Sequence, residues 1–209
     1  MAEYLLSVGV DVSIKDHFDS TPLHFAAYKN NTKMVEFLIS HGANIKAVDN
    51  HKRTPLHSAG ETLSIESAEI LLSHGLDINA QDDVGYTILN YSTESNSEKL
   101  AEFAIKHGAD INIRSKQGTT PLMDAANRNC FQIAQILIAC GADINAKDKE
   151  GATALHYATL KRRYAIKNLL IQNGADVNAK DCRNNKPSDF EKMPNDFKPD
   201  FNGFQRCRI

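Results

Sequence analysis

A step of 33 residues runs through this chain without an insertion, and it limits the fold more than any single motif does. Aspartates close similar phrases at Asp16, Asp49, Asp82, Asp148 and Asp181, with Ser115 in the remaining place. Five residues after each marker stand Thr21, Thr54, Thr87, Thr120, Thr153 and finally Lys186, followed by Pro22, Pro55, Ile88, Pro121, Ala154 and Pro187. A glycine recurs in the same register at Gly9, Gly42, Gly75, Gly108, Gly141 and Gly174. A fixed period of this length replaces the domain count that 209 residues would otherwise suggest. One unit cannot bury its apolar face alone, so neighbours must stack to make a core.

Each unit reads as two short helices and an exposed turn. Thr-Pro-Leu-His at 21–24 and 54–57, and partial versions at 120–123 and 153–156, predict a threonine cap with proline at the first helical position, where its missing N–H is not needed. The second helix carries an apolar stripe, such as Met34, Val35, Phe37, Leu38 and Ile39, and stops at a glycine suited to a left-handed C-cap. Asn30, Asn96 and Asn129 fall between the helices and tolerate positive φ. Leu63 and Arg162 hold that place in two units, where a wider or strained connection is expected. In the third unit Ile88, Asn90, Ser92 and Thr93 replace the usual proline, histidine and small apolar residues, which predicts looser packing and hydroxyls in need of partners.

Thr21-Pro22-Leu23-His24-Phe25-Ala26-Ala27 with Gly42-Ala43-Asn44-Ile45, and Gly141-Ala142-Asp143-Ile144-Asn145-Ala146-Lys147-Asp148, resemble the ankyrin repeat. The resemblance implies an all-α, L-shaped solenoid of helix-turn-helix units joined by β-hairpin-like loops, with a concave binding surface of loop tips and first helices. It divides the chain into a partial repeat at 1–16, five repeats at 17–49, 50–82, 83–115, 116–148 and 149–181, and a degenerate capping repeat with tail at 182–209. Met1 aligns with Met34, so the chain opens on a second helix, as a piece of a longer array would. Pro194 and Pro199 forbid a regular last helix, and Phe197, Phe201 and Phe204 are expected to fold back as a cap.

Chemistry is absent from the motifs. No nucleophile elbow, phosphate loop, zinc-protease or dinucleotide fingerprint is present, so no catalytic turnover and no cofactor are expected. The histidines fall into two equivalent sets, His24, His57 and His156, and His41, His74 and His107. Equivalent helices lie ~8–10 Å apart, too far to converge on one zinc ion. The resemblance makes the first set structural, bonding the neighbouring turn. The phrases at 77–82, 143–148 and 176–181 lack the glycine and terminal glutamate of a calcium loop and read as turns satisfying their own backbone. No metal site is expected. Four cysteines without a Cys-x-x-Cys pair, and no secretory leader, predict free thiols and a cytoplasmic or nuclear location. No apolar run approaches the length of a membrane span.

The expected function is therefore a scaffold that binds a partner protein. Residues that vary at exposed positions are the candidates: Phe18, Tyr28, Lys29, His51, Arg53, Tyr86, Arg128 and Lys161, with the aromatic members in the N-terminal half. The near-neutral total of −2 hides a division: residues 1–148 carry −7 and residues 149–209 carry +5. A basic end without interleaved aromatics or a reading helix does not point to nucleic acid, and no small-molecule substrate is indicated. Two alternatives follow from the resemblance. Asn79, Asn145 and Asn178, each preceded by the leucine and aspartate of Leu71/Asp77, Leu137/Asp143 and Leu170/Asp176, resemble sites of an asparaginyl hydroxylase. The chain would alternatively be the regulatory segment of a larger enzyme or channel.

Overall fold

A computed structural model describes residues 11–192. Among them are ten α-helices, one 3₁₀ segment and no strand. They form two compact units that divide between Ala109 and Asp110. The first unit holds α1 (Pro22–Tyr28), α2 (Thr32–Ser40), α3 (Pro55–Glu61), α4 (Ile65–Ser73), α5 (Ile88–Glu94) and α6 (Glu98–Lys106). The second holds α7 (Pro121–Arg128), α8 (Phe131–Ala139), α9 (Ala154–Leu160), α10 (Tyr164–Gln172) and the 3₁₀ segment Pro187–Lys192. First helices start at 22, 55, 88, 121 and 154, so the 33-residue step of the sequence is also the step of the structure. The fold is all-α, as expected.

The first helices begin as the sequence predicts. Thr21, Thr54, Thr87, Thr120 and Thr153 are all extended, and the residue three positions on reaches back to the cap. In α1 the His24 Nδ1 accepts the Thr21 N–H at 3.1 Å, which leaves Nε2–H to donate to the Arg53 carbonyl at 2.9 Å. His57 and His156 repeat this, reaching the carbonyls of Tyr86 at 3.1 Å and Asn185 at 3.2 Å. Each of these rings therefore ties its helix to the following turn in a single neutral tautomer. Burial pushes all three imidazoles below their ordinary pKa, against the raising effect of the carbonyl each one meets.

The second helices end at His41, His74, His107, Cys140 and Asn173, and the next residue is a glycine at positive φ, as at Gly141 (φ 91°). The loops between repeats are hairpin-like in their bonding although no strand forms. Asn50 N donates to Phe18 O at 2.9 Å and Asp83 N to His51 O at 2.8 Å in the first unit; Lys149 N meets Gln117 O at 3.0 Å in the second. The marker aspartates hold these turns. Asp82 Oδ1, for example, accepts the amides of Val84 and Tyr86 at 2.9 and 2.8 Å.

Leu63 and Arg162 adopt the same left-handed conformation as the asparagines, with φ of 60° and 54°, so of the two outcomes expected it is the strained connection that forms. The third-unit helix α5 packs less closely on α3 than α3 does on α1, as expected, although Ile88 through Thr93 are all buried. Its hydroxyls bond back within the helix, Ser92 Oγ to Leu89 O at 2.6 Å and Thr93 Oγ1 to Asn90 O at 2.7 Å, and Asn90 Oδ1 accepts the Thr87 amide at 3.0 Å in place of a histidine. After Asp181 the chain forms 3₁₀ turns in place of a regular first helix, with Phe190 buried beneath the His156 ring at 6.0 Å. Cys130 and Cys140 are free thiols, as expected, the first buried and the second exposed. Cys207, residues 1–10 of the partial repeat at 1–16, Pro194, Pro199 and the phenylalanines 197, 201 and 204 lie outside the described residues.

Candidate partner-binding cleft

The turn at Asp16 sets the position of the first aromatic residue. Asp16 Oδ1 accepts the amides of Phe18 at 2.9 Å and Ser20 at 2.8 Å, and Asp19 closes the turn at φ 63°. Phe18 is left 51% exposed, its ring 4.0 Å from that of His17. Helix α1 then buries Leu23, His24, Ala26 and Ala27 and turns the intervening face outward, so that Phe25 is 52% and Tyr28 39% exposed. Lys29 caps the helix with its ammonium 5.2 Å from the Tyr28 ring, a cation–π contact.

The following turn contributes an ion-paired wall. Arg53 Nε donates to Asp49 Oδ2 at 2.8 Å while its terminal nitrogen reaches Glu61 Oε2 at 3.5 Å. Burial opposes ionisation of Asp49, yet hydrogen bonds from the Arg53 amide and guanidinium outweigh it and hold the carboxyl below its usual range. These residues enclose a cleft of about 450 Å³ lined by Phe18, Phe25, Tyr28 and Lys29, with Asp16, Asp49, Arg53 and Glu61 among its polar groups. A second cleft, of about 600 Å³, shares Asp16, Ser20, Phe25 and Lys29 and extends to Ile14 and Met34.

Four of the eight residues expected to bind a partner therefore meet: Phe18, Tyr28, Lys29 and Arg53. The other four do not line this cleft. His51 sits at the next loop tip with Nδ1 3.2 Å from Asp83 Oδ2, and half-buried Tyr86 is held by its backbone to Asp82 and His57. Arg128 and Lys161 belong to the second unit, exposed at the ends of α7 and α9. Phe25 and Asp16 were missed. Phe25 stands where the other units carry Ser58, Tyr91, Asp124 and Tyr157, all of them buried, and Asp16 reads as one more marker.

The asparagines expected as modification sites lie in the hairpin turns. Asn145 Oδ1 accepts the Asp176 amide at 2.8 Å and its Nδ2 donates to Gly174 O at 3.1 Å, which engages both ends of the side-chain amide. Asn178 is exposed and accepts from Lys186 Nζ at 3.0 Å; Asn79 is half-buried. The aspartates two residues earlier accept the asparagine amides themselves, at 2.9 to 3.0 Å, as turn residues do. Among the described residues no three His, Cys, Asp or Glu side chains converge as metal ligands, and no helix is long and apolar enough to cross a membrane.

The family model described as Ankyrin repeats (3 copies) matches residues 1–82 and 89–181. Among solved structures, the crystal structure of the ankyrin repeat domain of Bcl-3, described as a unique member of the IkappaB protein family, is similar at a TM-score of 0.81 and 28% identity. That match covers 91% of this chain and 86% of the other. No curated protein sequence matches the chain.

Proposed function

Because this chain belongs to the ankyrin repeat family, whose repeats generally serve protein–protein interaction, we propose that it is a non-catalytic module that holds a partner protein on its concave face through the Phe18–Tyr28 cleft. The observation that supports this reading is the gathering of Phe18, Phe25 and Tyr28, all well exposed, around one cleft instead of their scattering over the surface. Aromatic residues at the centre of a contact patch carry much of the energy of association. The cleft is also within the roughly 300–1,000 Å³ typical of binding pockets. His51, Tyr86, Arg128 and Lys161, outside the cleft, would act at the rim of a larger contact or not at all.

Affinity capture from the native cell with wild type, Phe18→Ala, Tyr28→Ala and, as a control outside the cleft, Tyr86→Ala tests the reading. A partner retained by wild type and Tyr86→Ala but lost by the cleft variants is the expected result; the same proteins retained by all four would refute the cleft. A second reading, hydroxylation at Asn145 or Asn178, rests on the exposure of those side chains in surface turns. Intact-mass analysis of the protein from its native cell, showing no gain of an oxygen atom, would end it.

A further inference from the structure

The marker aspartates supply their own internal controls. In each case Oδ1 is used by the turn, and the question is what meets Oδ2. Asp49 Oδ2 accepts from Arg53 Nε at 2.8 Å, Asp82 from Tyr91 Oη at 3.2 Å, Asp148 from Tyr157 Oη at 2.6 Å and Asp181 from Asn185 Nδ2 at 3.0 Å. Two positions provide these donors, four and nine residues after the aspartate. For Asp16 the first is Ser20 and the second Phe25, which has no hydroxyl. Its Oδ1 takes the turn amides, and no side chain among the described residues donates to Oδ2.

Neighbouring cations do not fill the gap. Lys15 pairs with Asp19 at 3.6 Å, Lys29 lies over the Tyr28 ring, and Arg53 is held between Asp49 and Glu61. Asp16 is thus a half-buried carboxylate with one open acceptor, lining a cleft whose other walls include Phe18, Phe25 and Tyr28. An anion beside aromatic faces selects a cation that can both donate and stack. The planar guanidinium does both, whereas an ammonium is a compact, strongly hydrated point charge. The next turn shows the pairing within this chain, as Arg53 on Asp49.

We propose that Asp16 is the receptor for an arginine side chain of the partner polypeptide, its guanidinium bonded to the open carboxylate oxygen and seated among Phe18, Phe25 and Tyr28. This rests on the cleft being the partner-binding surface. The cleft then selects extended, arginine-bearing segments.

The test is NMR of the ¹⁵N-labelled full chain titrated with N-acetyl-arginine methylamide, its neutral citrulline analogue and the lysine analogue. Saturating shifts at the amides of Phe18, Ser20 and Lys29 are expected for arginine, with responses to the other two weaker by roughly ten-fold or more. Asp16→Asn keeps an Oδ1 for the turn amides and should abolish the preference, with an unchanged melting curve showing that it folds. Equal responses to citrulline or lysine, an undiminished response in Asp16→Asn, or no shifts at these amides would overturn the assignment. Concentration-dependent dimerisation that is lost in Asp16→Asn would overturn a foreign partner by placing the arginine on a second copy. Selection of a random peptide library on the immobilised chain separates the two levels. Peptides that need Phe18 and Tyr28 but show no arginine enrichment keep the cleft and remove the guanidinium; peptides that need neither remove the cleft.

Discussion

Gly60 and Ile88 are fitted to each other: a Cβ placed on Gly60 would stand 2.9 Å from Ile88 Cγ1 and 3.6 Å from Tyr91 Cβ. The other units carry alanine or threonine at the first position and, one repeat on, proline or alanine at the second. The bulk that Ile88 adds is accommodated by the methyl that Gly60 lacks. Gly60→Ala should gain up to ~1 kcal/mol of helix propensity yet lose about 1–3 kcal/mol to overpacking, a net destabilisation in urea unfolding. In an Ile88→Ala background the same change should stabilise by ~1 kcal/mol. Additive effects of the two substitutions would show that the contact carries no energy.

The backbone at Leu63 offers a gain. Its φ of 60° costs a leucine about 1–2 kcal/mol that asparagine largely avoids, and the side chain is 42% exposed, so little packing is at stake. At the same place in the preceding connection, Asn30 Oδ1 accepts the Ser67 amide at 3.1 Å. Leu63→Asn is expected to raise stability by ~1 kcal/mol, seen as an upward shift in the thermal midpoint. An unchanged or lowered midpoint would mean that Leu63 contributes packing equal to its strain.

Acid should weaken the stack through its buried imidazoles. His24, His57 and His156 are held neutral by burial, so their folded pKa values lie below those of the unfolded chain. As pH falls below about 6.5 the unfolded state takes up protons that the native state refuses, and stability declines down to the folded pKa. His57→Asn, which copies Asn90, should flatten the urea midpoint between pH 7 and 5 relative to wild type. A midpoint equally steep in the variant would assign the acid sensitivity to carboxylates.

Asn145 ties two consecutive hairpins through both ends of its amide. Asn145→Ala removes both bonds at an exposed site and is expected to cost about 1–2 kcal/mol in chemical denaturation. Asn178→Ala, which loses only a contact with a lysine ammonium, should cost less. The reverse order would mean that the Asn145 amide is replaced by water without loss.

The parts of the fold that depend on one unit were legible in its residues. The 33-residue step, the threonine caps, the glycine stops and the role of the histidines all follow from local chemistry repeated in register. What depends on two units was not. That Ile88 would find room required knowing that Gly60 faces it. Leu63 and Arg162 left a wider and a strained connection equally open, and only the structure shows that the backbone takes the strain. Among the site residues Phe18, Tyr28, Lys29 and Arg53 could be found because they vary at exposed positions. Phe25 could not, since Ser58, Tyr91, Asp124 and Tyr157 at the same register position are all buried and only Phe25 is open. Asp16 looked like every other marker, and only the partners of the others reveal its difference.

His156 is the last histidine of the series, and it is completed by segments that no longer follow the repeat: the carbonyl of Asn185 and the ring of Phe190. The repeat pattern ends at Asp181, but the cooperative fold does not. A chain cut there would leave a buried imidazole N–H with no acceptor and the flank of α9 in water. Any piece meant to stand alone must therefore keep the 3₁₀ segment, and no trimming or fusion should cut before residue 192, eleven positions past the point that periodicity alone would choose.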